Sequence, residues 1–217
     1  MCELIEEMEM EDRAVGVAGV GCGFFFNLVM NIDGINTAHG RPPDVATGIK
    51  RARPDLLVFT IQGDGDCIAI GAGSLINAAA RAERITVIMV NNGNYGTTGG
   101  QMAPTTLLGQ VTTTTPQGRM PRTGYPIHVP ELLSSIKGVA YCARGALNSP
   151  ANYQRTKRYI RKALEKQLRD VGFSFVEVLS ACPPTWHLSP VESLKWIEEK
   201  MIPEFPLGEF KDVEEID

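Results

Sequence analysis

The chain has 217 residues, with 21 Lys and Arg against 25 Asp and Glu, a formal net charge of −4 and 43% hydrophobic residues. That length fits one domain with a sizeable core, and the acidic balance argues against a general nucleic-acid binder. No apolar run approaches the roughly eighteen residues of a spanning helix, and the acidic start is the opposite of a signal peptide, so neither nucleic acid nor membrane is expected as a partner and the expected location is cytoplasmic.

In chain order, residues 1–11 have helical composition and read as the end of a helix. Residues 14–20 (AVGVAGV) read as a buried strand of small residues that breaks at Gly21-Cys22-Gly23. Phe24-Phe25-Phe26 reads as core. The Gly40-Arg41-Pro42-Pro43 turn places His39 in a loop at the mouth of the domain, ahead of a helix over 44–52. Strands are expected over 56–61 and 85–90, with a proline-free, Ala-rich crossover helix over 69–82 between them.

A long polar loop over 96–115 follows, of the kind that serves as a lid or binding loop. Next come a short helix over 130–136, a strand over 139–144 and an amphipathic helix over 150–170. The basic face of that helix reads as solvated, with an acidic partner as the sharper alternative. A strand over 174–178 runs into Cys182-Pro183-Pro184; 190–201 is helical and 203–217 is an acidic tail. The pattern predicts one α/β domain over 1–217, with a mostly parallel sheet and helices on both faces.

The chemistry concentrates where the two central strands stop. The first ends in Gly63-Asp64-Gly65-Asp66 and the second in Asn91-Asn92-Gly93-Asn94-Tyr95-Gly96. Parallel strands joined by a crossover helix put both ends on the edge where open α/β sheets bind ligands. Asp64 and Asn92 then face one another with the oxygen donors a hard divalent cation prefers. The glycines leave room for backbone N–H groups to approach a phosphate. Five cysteines, odd in number and scattered, argue against a disulfide framework.

These segments resemble the thiamine diphosphate fingerprint, a GDG followed by a helix and a strand ending in NN. Together with VGCG, AHGR, VATGIKRARPD, NNGNYGTTGGQMAPTT, SFVEVLSACP and SPVESLKWIEEKMIP, they make the chain similar to the β subunit of 2-oxoacid:ferredoxin oxidoreductases. The resemblance implies that Asp64, the Asn92 side chain and the Asn94 carbonyl hold Mg²⁺. It implies that Gly65, Asp66, Gly96 and Thr97 line the diphosphate, that Val20, Gly21, Cys22 and Gly23 contact the rest of the cofactor, and that His39 does so as a catalytic residue. Cys22 and Cys182 match two of the four cysteines that hold a [4Fe–4S] cluster. The other two belong to a C-x-x-C in a WCPGCG-like segment, and the expectation is that the given start lies downstream of it. Cys67 and Cys142 match no ligand position and read as buried thiols.

The implied reaction is oxidative decarboxylation of a 2-oxoacid to acyl-coenzyme A and CO₂, with electrons passed to ferredoxin. The implied partners are an α subunit, which brings the activating glutamate, and further γ and δ subunits. A non-oxidative thiamine diphosphate decarboxylase subunit and a non-catalytic scaffold of the same fold are the alternatives. A dinucleotide site is disfavoured because GDGDC lacks the G-x-G-x-x-G spacing.

Overall fold

Apolar runs become the strands β1 (Ala14–Ala18), β3 (Leu57–Gly63) and β4 (Thr86–Asn91), and a polar segment between the first two forms β2 (Asp33–Asn36). A two-residue pair, β5 (Asn94–Tyr95) and β6 (Gln101–Met102), forms a separate antiparallel hairpin. Strands β7 (Val139–Ala146), β8 (Phe173–Leu179) and β9 (Gly208–Asp212) complete the set. The computed structural model describes residues 1–216. Seven strands form one sheet in the order β2-β1-β3-β4-β8-β7-β9. All neighbours run parallel except β9, which is antiparallel to β7.

The helices are α1 (Cys2–Glu7), α2 (Pro42–Ala52), α3 (Ala72–Ala80), α4 (Val129–Ser134), α5 (Pro150–Leu168), α6 (Pro183–Trp186), α7 (Pro190–Trp196) and α8 (Ile202–Glu204). Successive residues of a strand point to opposite faces, so Val58, Phe173 and Phe175 pack with Ala46, Leu75, Ala78, Val129 and Leu133 beneath α2, α3 and α4. Leu57, Phe59, Val176 and Val178 pack on the other face with Leu4, Ile5, Ile160 and Leu164 of α1 and α5. Both faces are covered, as an all-parallel core requires. No helix of the described residues is long and apolar enough to cross a membrane.

Four features depart from the sequence reading. Strand β2 was not expected, because four exposed residues (DGIN) carry no apolar signal. Of the three phenylalanines only Phe26 is core, whereas Phe24 and Phe25 are 44% and 54% exposed. The tail contributes an edge strand, β9. The basic face of α5 is partly covered by the chain's own acidic ends, while Arg155 and Arg158 stay solvated. Lys157 pairs with Glu3 and Glu7, Arg161 with Glu7, Lys162 with Glu209 and Asp212, and Lys166 and Arg169 with Glu214.

Candidate functional site

Strands β1, β3, β4 and β8 are consecutive neighbours, so the segments that leave their carboxyl ends meet on one edge. They enclose a cleft of about 270 Å³. Val20, Gly21, Cys22 and Gly23 line it from the β1 end, Asp64, Gly65 and Asp66 from β3, and Asn92, Asn94, Gly96 and Thr97 from β4, with His39 at its side. Every residue singled out from the sequence is therefore at this cleft except Cys182. That thiol stands immediately behind it, because a methyl group on Gly96 would lie 3.2 Å from Cys182 Sγ and 3.3 Å from Asn92 Nδ2.

Asp64 closes β3 and is 1% exposed. Its Oδ1 accepts from the Gly65 N–H at 2.9 Å and its Oδ2 from the Thr105 hydroxyl. Among the described residues no lysine, arginine or histidine forms an ion pair with it. Burial pushes its carboxyl up to about 7, with the Thr105 and Gly65 hydrogen bonds pulling the other way. A carboxylate buried without a countercharge is the situation that a bound divalent cation relieves.

The Asn91–Asn94 segment is shaped by two successive turns in which an asparagine side chain accepts from the backbone two residues on. Asn91 Oδ1 accepts from Gly93 N–H at 2.9 Å and Asn92 Oδ1 from Asn94 N–H at 3.2 Å. Gly93 has φ +66°, which a side chain would disfavour. The carbonyls are held as well, with Trp186 Nε1 donating to Asn92 O at 3.1 Å and Thr106 Oγ1 to Gly93 O at 2.6 Å. Asn94 O accepts the Gly96 N–H at 3.1 Å, and a carbonyl oxygen carries a second lone pair that can face a ligand.

Asp66 borders the cleft, but its carboxylate is committed to holding loops together. It accepts from Gly40 N–H at 2.8 Å, Val20 N–H at 3.3 Å and Gln62 Nε2 at 2.6 Å. His39 Nδ1 lies 2.5 Å from Asp66 Oδ1, out of line for a hydrogen bond. Its Nε2 is the ring nitrogen left for a ligand.

Cys22 Sγ is 2.9 Å from Thr97 Oγ1, and Cys182 Sγ is 2.9 Å from Thr185 Oγ1. Among the described residues no group of three or more His, Cys, Asp or Glu side chains gathers as a metal-binding set. Cys67 and Cys142 are buried thiols, as expected, and burial raises both well above the ordinary thiol range. Sequence reasoning missed Thr105 and Thr106, Gln62, and Tyr95, whose ring fills the space where a Gly65 side chain would stand. The Pro104-Thr105-Thr106 step in a polar loop was the available signal for the threonines.

Comparison with known proteins places this geometry. The model of the thiamine pyrophosphate enzyme C-terminal TPP-binding domain matches residues 24–178. Ketoisovalerate oxidoreductase subunit VorA of Methanothermobacter thermautotrophicus is 44% identical over 97% of this chain, and the chain spans 44% of the length of that relative. The 2-oxoglutarate synthase subunit KorB of Methanocaldococcus jannaschii is 36% identical over 97% of this chain and 75% of its own length. Among solved structures, the 2-oxoglutarate:ferredoxin oxidoreductase of Magnetococcus marinus, with 2-oxoglutarate, coenzyme A and succinyl-CoA bound, superposes with a TM-score of 0.81. That match is at 25% identity over 97% of this chain and 75% of that one. With its Asp64 and Asn92 arms at the carboxyl edge of a parallel sheet and the family match running through both, the chain belongs to the thiamine pyrophosphate-binding β subunits of the 2-oxoacid:ferredoxin oxidoreductase family.

Proposed function

We propose that this chain binds the diphosphate end of thiamine diphosphate with Mg²⁺ and serves as one subunit of a complex that oxidatively decarboxylates a 2-oxoacid, giving acyl-coenzyme A and CO₂ and reducing ferredoxin. The observation that carries this reading is Asp64, a buried carboxylate without a countercharge on the edge where parallel strands bind ligands. The residues present fit the group. One carboxylate, one side-chain amide and one backbone carbonyl, from Asp64, Asn92 and Asn94, make the oxygen-rich, low-charge set that suits Mg²⁺ when phosphate oxygens complete it. When bound, thiamine diphosphate supplies the electron sink for the decarboxylation.

The chain's own residues bind and orient. Gly65, Gly96 and Thr97 line the diphosphate, with the Gly65 and Gly96 N–H groups already donated to Asp64 Oδ1 and Asn94 O, and Gly65 leaves the Tyr95 ring in place. Asp66 acts through the loops it ties, and His39 presents Nε2 to the bound molecules. Val20 to Gly23 close the cleft from the β1 side. A [4Fe–4S] cluster needs more thiolates than Cys22 and Cys182, and among the described residues no third ligand gathers with them. Exposed Phe24 and Phe25, beside the cleft, suit burial against the α subunit.

Calorimetry with thiamine diphosphate and Mg²⁺ on the purified complex tests the site, with Asp64→Ala expected to abolish tight binding. Normal binding by that variant would overturn the assignment, and no binding by the wild type would favour a scaffold. Viologen reduction that depends on a 2-oxoacid supports the oxidative reaction, whereas aldehyde release without it supports a decarboxylase.

A further inference from the structure

The molecule buries an ion pair beneath the cation loop. Glu177 of β8 and Arg144 of β7 are both 0% exposed and stand opposite one another in the sheet. Arg144 Nε donates to Glu177 Oε2 at 2.7 Å. The guanidinium also makes a fork to Glu131 at 2.9 and 2.7 Å, donates to Pro206 O at 3.0 Å and lies over the Phe205 and Phe210 rings. Such a pair is often no more stabilising than apolar residues of the same volume. Its other contact gives a reason for its presence. Glu177 Oε1 accepts from Asn91 Nδ2 at 2.6 Å.

That bond decides which way the Asn91 amide faces. A carboxylate accepts only from the NH₂ end, so Asn91 Oδ1 is turned toward Gly93 N–H, which it holds at 2.9 Å. The first of the two turns that present Asn92 and Asn94 is therefore set by Glu177, and Glu177 is set by Arg144. We propose that Glu177 and Arg144 are positioning residues for the cation site, acting through Asn91 to fix the Asn92–Asn94 turn. The inference rests on the proposed assignment of Mg²⁺ to Asp64, Asn92 and Asn94.

The test uses two forms of the purified complex and Mn²⁺ as a paramagnetic probe for Mg²⁺, with thiamine diphosphate present. Glu177→Gln removes the charge at constant shape. A double variant, Arg144→Leu with Glu177→Leu, replaces the pair by apolar residues, so the fold survives without a buried unpaired charge. Partners that orient metal ligands typically contribute 10- to 100-fold to affinity. Each folded variant is expected to bind Mn²⁺ at least about tenfold more weakly, with circular dichroism showing that the double variant keeps its fold. Its Gly93 amide resonance should shift as well. If either variant folds and binds Mn²⁺ with wild-type affinity, the inference is overturned. If the wild type itself binds neither Mn²⁺ nor thiamine diphosphate, the underlying site assignment falls, which is a different result.

Discussion

Thr105 donates its hydroxyl hydrogen to Asp64, joining the loop after β6 to the end of β3. Its neighbour Thr106 donates to the Gly93 carbonyl at 2.6 Å. One Thr-Thr step therefore spans both arms of the proposed cation site. Arg119, buried at 5% exposure, steadies that step by donating to the carbonyls of Pro104 and Thr106.

Replacing Thr105 by Val keeps the shape and removes the donor. The Thr105 hydrogen bond favours the charged form of Asp64, so Mg²⁺ affinity is expected to fall on the order of tenfold. Titration calorimetry checks this, and an unchanged affinity would make the contact incidental.

Gly65→Ala puts a methyl group into the Tyr95 ring. Overpacking of this kind costs about 1–3 kcal/mol, and thiamine diphosphate binding should be lost because the ring has to move into the cleft. Thermal unfolding and cofactor titration read the two effects. Adding Tyr95→Ala to the same chain removes the clash and should recover the stability together with part of the binding.

Much of this was legible in the sequence because its signals are local. A run of strand formers that stops at Gly-Asp-Gly, and another that stops at Asn-Asn-Gly, fix the two arms without knowledge of their neighbours. Glu177 was not legible as a partner of Asn91, since that depends on the sheet placing β8 between β4 and β7. Its signal was one acid inside the apolar run SFVEV. Phe24 and Phe25 were misread because residue type says core, while the tight helical turn over Cys22–Leu28 buries only Phe26. The cover on α5 comes from both ends of the chain, as in Lys157 with Glu3, 154 positions apart, and no local pattern carries that.

The acid limb of stability should report on Glu131. Burial acts to raise its carboxyl, but the Arg144 hydrogen bonds and charge outweigh that and hold it below the usual carboxylate range. A lowered folded value means the contribution is present above the ordinary pKa of 4.5 and is lost as pH falls through the folded value. Urea unfolding of the wild type should weaken across that window, and Glu131→Gln should flatten the decline. Parallel curves would show that the carboxylate contributes no pH dependence.

On α1, packing should outweigh charge. Leu4 is 1% exposed in the core, and truncation to Ala is expected to cost about 2–5 kcal/mol. Lys157→Gln removes exposed ion pairs with Glu3 and Glu7 and should change the unfolding midpoint little. Chemical denaturation of both variants decides the order.

If Phe24 and Phe25 face a partner subunit, changing both to Ser leaves the fold intact and weakens assembly. Light scattering of the co-expressed complex should then show a lower mass at unchanged circular dichroism. Full-mass complex would place the interface elsewhere.

The turn over Gly65–Ile70 is wider than an α-helical one, with the Gly71 N–H reaching back five residues to Asp66 O at 3.0 Å. Each such turn holds one residue more than its α counterpart. That extra residue shifts the phase of α3 by about 100° relative to a continuous α-helix. Asp66 can therefore face the loops while Leu75 and Ala78 face the sheet. Chain length here works like the teeth of a gear, so deleting a single residue between 67 and 70 would turn either the carboxylate or the helix away from its seat, a fault that no substitution at the cleft could repair.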